Sequence, residues 1–225
     1  MEYFQKRVWN DKWIAEEVFK GRGGGYFVEV GSAKGKWGSS CYALEKELGW
    51  KGIAIAARDH LKYLAEFRPN SIAVNACLWS KEGEEVDFVE YDESTVGGLS
   101  GIINQDPFMR RPDKESHHAK NPKAIKSTKQ IITKTTTTLG RVLSDNKAPN
   151  IIDYLSMDIE RSEAAVLSTF PFDEYKFKAI SIEGAHAHEY LVSNGYVQVI
   201  NPFCEVKWEF YYIHEDFLIK QKYKV

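Results

Sequence analysis

Two acidic residues stand where the chain could carry out chemistry on a bound molecule. Asp158 and Glu183 each end a short apolar stretch, residues 151–158 and 177–183, and both stretches are predicted to be internal strands of a parallel sheet. Ligands of open α/β sheets bind at the carboxyl ends of the strands, so the two carboxylates are expected to lie together. They could hold a divalent cation such as Mg²⁺, which would acidify and orient a hydroxyl group. Without a metal, one carboxylate or a histidine, with His186 preferred, could act as a general base.

A second feature is a glycine turn after the first apolar run. Residues 27–35 read FVEVGSAKG, with Glu29 two residues before Gly31 and with Gly35 four residues after it. Glycines at these positions let the backbone turn tightly into a helix, so that a nucleotide or amino-acid group can lie against bare amides. The spacing by itself is equally compatible with a tight turn that binds nothing.

Alternating strands and helices must position both features. Apolar runs predict strands at residues 26–30, 52–56, 71–77, 151–158 and 177–183, and helical spacing predicts helices at 3–19, 39–48, 60–67, 162–169 and 189–193. Runs at 86–91, 196–200 and 206–212 predict antiparallel edges or a terminal hairpin. We therefore expect an α/β, Rossmann-like fold, with a mixed, mostly parallel sheet of about seven strands and helices on both faces.

A long segment, residues 92–133, interrupts this rhythm before the strand predicted at 151–158. From residue 110 to 134 the chain carries eight lysines and arginines against two acidic residues. Loops of this length are usually functional lids or disordered segments. The two interpretations are a solvated mobile loop and a cationic cover for an anionic substrate. The four threonines at 135–138 are predicted to belong to a strand.

Composition restricts the class of protein. The 225 residues fit one domain, and the net charge of -2 provides no global field for nucleic acid or an anionic membrane. The three cysteines, Cys41, Cys77 and Cys204, fit neither a disulfide framework nor a zinc site, which favours a reducing cytoplasm. No stretch has the continuous apolar character of a signal peptide or a transmembrane helix. A homo-oligomer is compatible with the sequence.

Five blocks in order along the chain resemble the FkbM family of methyltransferases. They are FVEVGSAKG at 27–35, SSCYALE at 39–45, GWKGIAI at 49–55, DYLSMDIE at 153–160 and ISIE at 180–183. Five ordered blocks are much harder to match by accident than one glycine turn. The resemblance covers most of the chain, from about Tyr26 to Phe217.

The resemblance implies a class I methyltransferase fold, S-adenosylmethionine as methyl donor, and O-methylation of a hydroxyl group on a sugar or small metabolite. It places Asp158 at the reacting end and Glu29, Gly31, Ser32 and Gly35 against the methionine part of the donor. Glu183 and His186 are the further catalytic candidates, and Ser40, Asp59 and Cys77 complete the candidate donor-binding residues.

Several positions depart from the family pattern. Lys34, Ser40, Arg161 and Gly184 stand where the family usually has Asp, Asn, Gly and His. Ala56 matters most, because this fold usually has an acid there, about 20 residues past the glycine turn, that accepts hydrogen bonds from the ribose hydroxyls. Asp59 is the nearest residue that could take this role.

Three functions therefore remain open on the sequence. The first is a methyltransferase with an altered donor pocket. The second is a catalytically impaired binding protein that keeps the fold and uses the basic segment to hold a partner or an anionic ligand. The third is an enzyme that binds a phosphate-bearing nucleotide at the glycine turn, which Glu29 disfavours because its charge would repel phosphate.

Overall fold

The computed structural model describes residues 1–91, 97–99 and 129–218. Eleven strands lie in these ranges: β1 (Tyr26–Val30), β2 (Lys51–Ala56), β3 (Ser71–Asn75), β4 (Cys77–Leu78), β5 (Glu85–Tyr91), β6 (Gly97–Leu99), β7 (Lys129–Thr137), β8 (Ile151–Met157), β9 (Lys176–Glu183), β10 (Tyr196–Val199) and β11 (Glu209–His214). Seven of them form the main sheet in the order β10-β11-β9-β8-β1-β2-β3. Five adjacent strands, β9, β8, β1, β2 and β3, run parallel to one another. At one edge of the sheet, β11 pairs with β9 and β10 pairs with β11, both in the antiparallel sense. The predicted mixed, mostly parallel sheet is confirmed.

Short helices connect the strands. They are α1 (Asn10–Lys12), which continues as a π-helix (Trp13–Val18), then α2 (Tyr42–Leu48), α3 (Leu61–Phe67), α4 (Leu139–Asp145), α5 (Glu163–Leu167), α6 (His188–Ser193) and a 3-10 turn (Glu215–Phe217). In the described ranges, none of these helices combines the length and apolar character that crossing a bilayer requires.

Two apolar cores lie on opposite faces of the sheet, because alternate residues of each strand point to opposite sides. On β1, Val28 belongs to the core that α4, α5 and α6 cover, whereas Phe27 belongs to the core that the N-terminal helix and α2 cover. Trp13 and Trp50 fill the second core and are fully buried. The helices predicted on both faces are therefore present.

The N-terminal helix is shorter than its sequence pattern predicted. It begins at Asn10 rather than Tyr3, and most of it is a π-helix. Left-handed backbone at Arg7 and Trp9, with φ of 80° and 54°, prevents the helix from extending further towards the N-terminus. The preceding residues still pack on the domain, since Phe4 is buried against Tyr42.

The prediction of a continuous loop at 92–133 is wrong in part. Residues 97–99 and 129–133 lie in β6 and β7, which form a second sheet in the order β4-β7-β5-β6. The pairing of β7 with β5 from Glu85 to Tyr91 explains this, because it overrides the weak local pattern of residues 129–133. The strand at 86–91 therefore belongs to the second sheet, and the threonine run does lie in a strand up to Thr137. Most of the basic segment lies outside the described residues.

A buried ion-pair network anchors α3 to the first strand. Arg68, which follows α3, is 1% exposed and contacts Glu29 at 2.6 Å and Glu45 at 2.8 Å. Its guanidinium also donates to the hydroxyl of Ser39 and the carbonyl of Gly35. Burial alone would lower the pKa of Arg68, but the charge and hydrogen bonds of the neighbouring acids reverse that effect. The network fixes the segment that follows β1.

We predict that Arg68→Met lowers the free energy of unfolding by about 3 to 5 kcal/mol, because it leaves two buried carboxylates without their partner. Urea denaturation followed by circular dichroism measures this loss. Arg141→Met is the matched control, since Arg141 forms an exposed helical ion pair with Asp145 and should leave the urea midpoint unchanged. Equal midpoints for Arg68→Met and the parent protein would contradict this role of the network.

Candidate active site

The glycine turn after β1 meets the end of β8 at very close range. A Cβ atom at Gly31 would lie 2.0 Å from the carbonyl oxygen of Asp158, and Gly31 has φ of +90°. Both observations exclude any side chain at this position. The amide of Asp158 donates a hydrogen bond to the carbonyl of Val30 at 3.0 Å, and the amides of Gly31 and Ser32 both donate to the carbonyl of Ile55. The turn therefore brings the ends of β1, β2 and β8 to one point.

A cavity opens at this point, along the carboxyl ends of the parallel strands. Its walls come from the glycine turn and from the segments that follow β2, β3 and β8. The lining residues include Gly31, Trp37, Arg58, His60, Cys77 and Asp158. Trp37 is 70% exposed at this wall. The place agrees with the general rule for ligands in open α/β sheets.

Carboxylates gather beside the cavity. Oxygens of Asp158, Glu160 and Glu183 lie within 4.8 Å of one another. Glu209 stands opposite Glu183 in the pairing of β11 with β9, so a fourth acid reaches the same edge of the sheet. Glu163, in the first turn of α5, is buried and accepts a hydrogen bond from the Ile159 amide, while its other oxygen has no partner within the described ranges.

Burial raises the pKa of four of these acids, and the charges of neighbouring acids add to the rise for Glu163, Glu183 and Glu209. Enclosure by protein raises the pKa of Asp158, although its carboxylate reaches solvent through the cavity, and a hydrogen bond with Glu183 opposes that rise. Burial, followed by the charges of Asp158 and Glu160, raises the pKa of Glu183 strongly. Burial also raises the pKa of Glu163 to about 7 and that of Glu209 to about 8. The cluster therefore holds protons at neutral pH without losing all of its negative charge, because the pKa of Glu163 lies at about 7.

Three of the residues proposed from the sequence line the cavity, namely Gly31, Cys77 and Asp158. Glu183 joins them through its contact with Asp158. His186 is exposed in the segment after β9 and is not among the cavity-lining residues.

The other proposed donor-binding residues lie behind the cavity wall or outside it. Glu29 accepts from Ser39, Arg68 and the Ser40 amide, and the Ser40 hydroxyl accepts from Asn10. Ser32 donates to the Ile55 carbonyl.

Gly35 and Asp59 are likewise absent from the cavity wall. Gly35 packs against Leu64 and Arg68, and Asp59 is exposed. In this structure, therefore, most of the motif residues shape and support the turn.

Several residues of the site were not identified from the sequence. Glu160 lies in the DYLSMDIE block but was not singled out as a site residue, and Glu209 reaches the site through the antiparallel pairing of β11, which no local pattern signals. The position of Trp37 in the sequence belongs to no pattern that would indicate a binding residue. His60 could have been considered, because it immediately precedes α3 at the end of the segment that follows β2.

Comparison of the sequence with models of protein families identifies the family of this chain. A family model described as the methyltransferase FkbM domain matches residues 29–223 of the chain. The chain belongs to the FkbM methyltransferase family. The resemblance noted in its five sequence blocks is thus confirmed, and the protein is a methyltransferase. No curated protein matches this FkbM domain.

Two solved structures are similar to the FkbM domain. Precorrin-6y C5,15-methyltransferase from Geobacter metallireducens shares 10% identity, with 94% of this chain and 92% of that chain covered and a TM-score of 0.42. The fibrillarin pre-rRNA processing protein of Methanococcus jannaschii shares 12% identity, with 86% and 68% covered and a TM-score of 0.42. The Rossmann-like assignment of the FkbM domain accords with its own strand order.

Two departures from the FkbM pattern fall beside the site without filling it. Arg161, where the family usually has glycine, has φ of 74°, and the preceding Glu160 has φ of 57°. Such backbone costs a residue with a side chain about 1 to 2 kcal/mol, which explains a glycine preference there. Arg161 is exposed, and Lys34 lies over the ring of Tyr63 at 5.1 Å. Neither lines the cavity of the FkbM domain.

We predict that Glu209→Gln changes how stability depends on pH. Burial raises the pKa of Glu209 to about 8, whereas the pKa of a free glutamate is 4.5. The folded state therefore binds more protons than the unfolded state between these values, so this group costs stability as pH rises through them. A neutral glutamine removes that cost, on the order of a few kcal/mol.

The measurement is the free energy of unfolding of both proteins from pH 4.5 to 8.5. The advantage of Glu209→Gln should grow with pH up to about 8 and then level off. His60 and His214 have lowered pKa values, so they make stability rise with pH, which is opposite to the effect of Glu209. Both proteins contain these histidines, and the difference between the two proteins therefore cancels their effect. Parallel stability curves would show that Glu209 titrates normally.

Proposed function

We propose that this FkbM domain transfers a methyl group from S-adenosylmethionine to a hydroxyl group of a sugar or small metabolite. The observation that carries the proposal is the anionic wall beside the glycine turn. Asp158, Glu160 and Glu183 stand together at the cavity, and burial, together with the negative charges of Asp158 and Glu160, raises the pKa of Glu183. A cationic ligand would compensate these charges.

S-adenosylmethionine supplies an electrophilic methyl group on a positively charged sulfur. The acids beside the cavity favour that charge, and the close approach of Gly31 to Asp158 places the backbone of the glycine turn in the cavity wall beside them. The donor would supply the methyl carbon to the acceptor oxygen and leave as the neutral thioether S-adenosylhomocysteine, and an ionised carboxylate of the Asp158–Glu183 pair would take the hydroxyl proton. Raised pKa values suit this task, because a general base works best with a pKa near the operating pH. The exposed face of Trp37 offers a stacking surface for a sugar ring.

We predict saturable binding of one S-adenosylmethionine per chain in calorimetric titration. Asp158→Asn should weaken this binding about tenfold, because it removes an anion that faces the sulfonium charge. Adenosine is the matched probe, since it lacks that charge and should bind the parent protein and Asp158→Asn equally. The absence of heat with S-adenosylmethionine at millimolar concentration would contradict the proposal and favour the catalytically impaired binding protein.

The three carboxylates also meet the chemical requirements of a Mg²⁺ site. Their oxygens lie within 4.8 Å of one another, and Mg²⁺ commonly takes one or two protein carboxylates and completes its shell with water. A cation there would replace the proton that Asp158 and Glu183 share. Asp158, Glu160 and Glu183 would be its ligands, and the cation would acidify an acceptor hydroxyl.

Titration with MgCl₂ in the absence of donor tests this part separately. We expect binding that strengthens as pH rises from 6 to 8.5, because Mg²⁺ competes with protons for the carboxylates, and that disappears in Asp158→Asn. Asp145→Asn, which changes an exposed acid on α4, is the control and should bind as the parent does. Parent protein that gives no heat with Mg²⁺ would leave proton transfer to the carboxylates alone.

A further inference from the structure

We propose that His60 recognises the ribose hydroxyls of the nucleoside in the cavity, in place of the acid that Ala56 lacks. This inference rests on the proposed function and deepens it by naming a residue that determines donor specificity. It concerns the segment between β2 and α3, which forms one wall of the cavity through Ala56, Ala57, Arg58 and His60.

Other groups in this wall are unsuited to accept a hydrogen bond from a ribose. Ala56 and Ala57 have no polar side chain, and the Arg58 guanidinium has only donors and forms an ion pair with Glu90 at 3.5 Å. The backbone carbonyls of residues 56, 57 and 58 already accept from the side-chain amide of Asn75. His60 is thus the residue of this wall whose side chain can accept.

His60 has a nitrogen in need of a partner. The residue is 6% exposed, and its Nδ1 atom is buried without a hydrogen bond in the part of the chain that is described. A buried polar atom left in this way costs about 1 to 3 kcal/mol, and such atoms call for a functional explanation. A ribose hydroxyl would supply the missing partner once a turn of the imidazole ring, which lines the cavity, brings Nδ1 to the cavity surface.

The imidazole ring is uncharged. Burial lowers the pKa of His60, a hydrogen bond with the Ala33 backbone opposes this effect, and the positive charges of Arg58 and Lys34 add to the lowering, against a smaller opposing effect of Glu90. A neutral imidazole has one donor and one acceptor nitrogen. A ribose hydroxyl both donates and accepts, so it can pair with Nδ1 in either tautomer.

The location also fits a ribose. His60 interacts with the backbone of Ala33 in the glycine turn and contacts Tyr63 edge-on, with ring centroids 6.1 Å apart. It therefore lies between the turn after β1 and the end of β2. In nucleotide-binding α/β folds the ribose occupies the space between these two elements.

Calorimetric titrations with S-adenosylhomocysteine, adenosine and 2′,3′-dideoxyadenosine test the inference. The parent protein should bind adenosine about tenfold more tightly than the dideoxy compound. His60→Phe should bind both nucleosides equally and S-adenosylhomocysteine about tenfold more weakly than the parent does. His60→Asn, which keeps an acceptor, should retain part of the preference for adenosine. His188→Phe is the matched control, because His188 is an exposed residue of α6 that hydrogen-bonds to Tyr212.

The outcomes separate the two proposals. Parent protein that binds no S-adenosylhomocysteine overturns the proposed function, and the role of His60 falls with it. Parent protein that binds S-adenosylhomocysteine but does not distinguish the two nucleosides overturns the His60 assignment alone, without any variant having to fold. A folded His60→Phe that keeps the preference also overturns it, and Asp59→Asn then tests whether the neighbouring acid is responsible.

Discussion

The contact between Gly31 and the Asp158 carbonyl is the constraint on which the site depends. Because no side chain fits between them, the ends of β1 and β8 can approach closely enough to place the glycine turn beside the acids. Behind the turn, Arg68 joins Glu29 and Glu45 in a network with almost no exposure to solvent. The turn is thus fixed by backbone proximity in front and by buried charges behind.

The strand order also brings several acids together at one edge of the sheet. β8, β9 and β11 are adjacent, and each contributes a carboxylate there: Asp158, Glu183 and Glu209. Clustering them without a cation is unfavourable, as their raised pKa values express. Sites that bind or transform ligands commonly carry such a cost, because the ligand relieves it.

The sequence was sufficient to predict the alternation of strands and helices and the family, since both depend on local patterns and ordered blocks. It misled where tertiary contacts dominate. Residues 129–133 have little periodicity but form a strand because β5 pairs with them. Glu29 stays a predicted ligand of the donor, and the sequence did not indicate that its charge is matched by Arg68, 39 residues further along the chain. No spacing rule reveals a partner so distant in sequence.

The most direct measurement is a crystal structure of the protein with S-adenosylhomocysteine. The account predicts electron density for the ligand in the cavity at the carboxyl ends of β1, β2 and β8, with its sulfur on the side of Asp158 and its ribose on the side of His60. Density for the nucleoside at another place on the protein, with this cavity filled by side chains, would contradict the account.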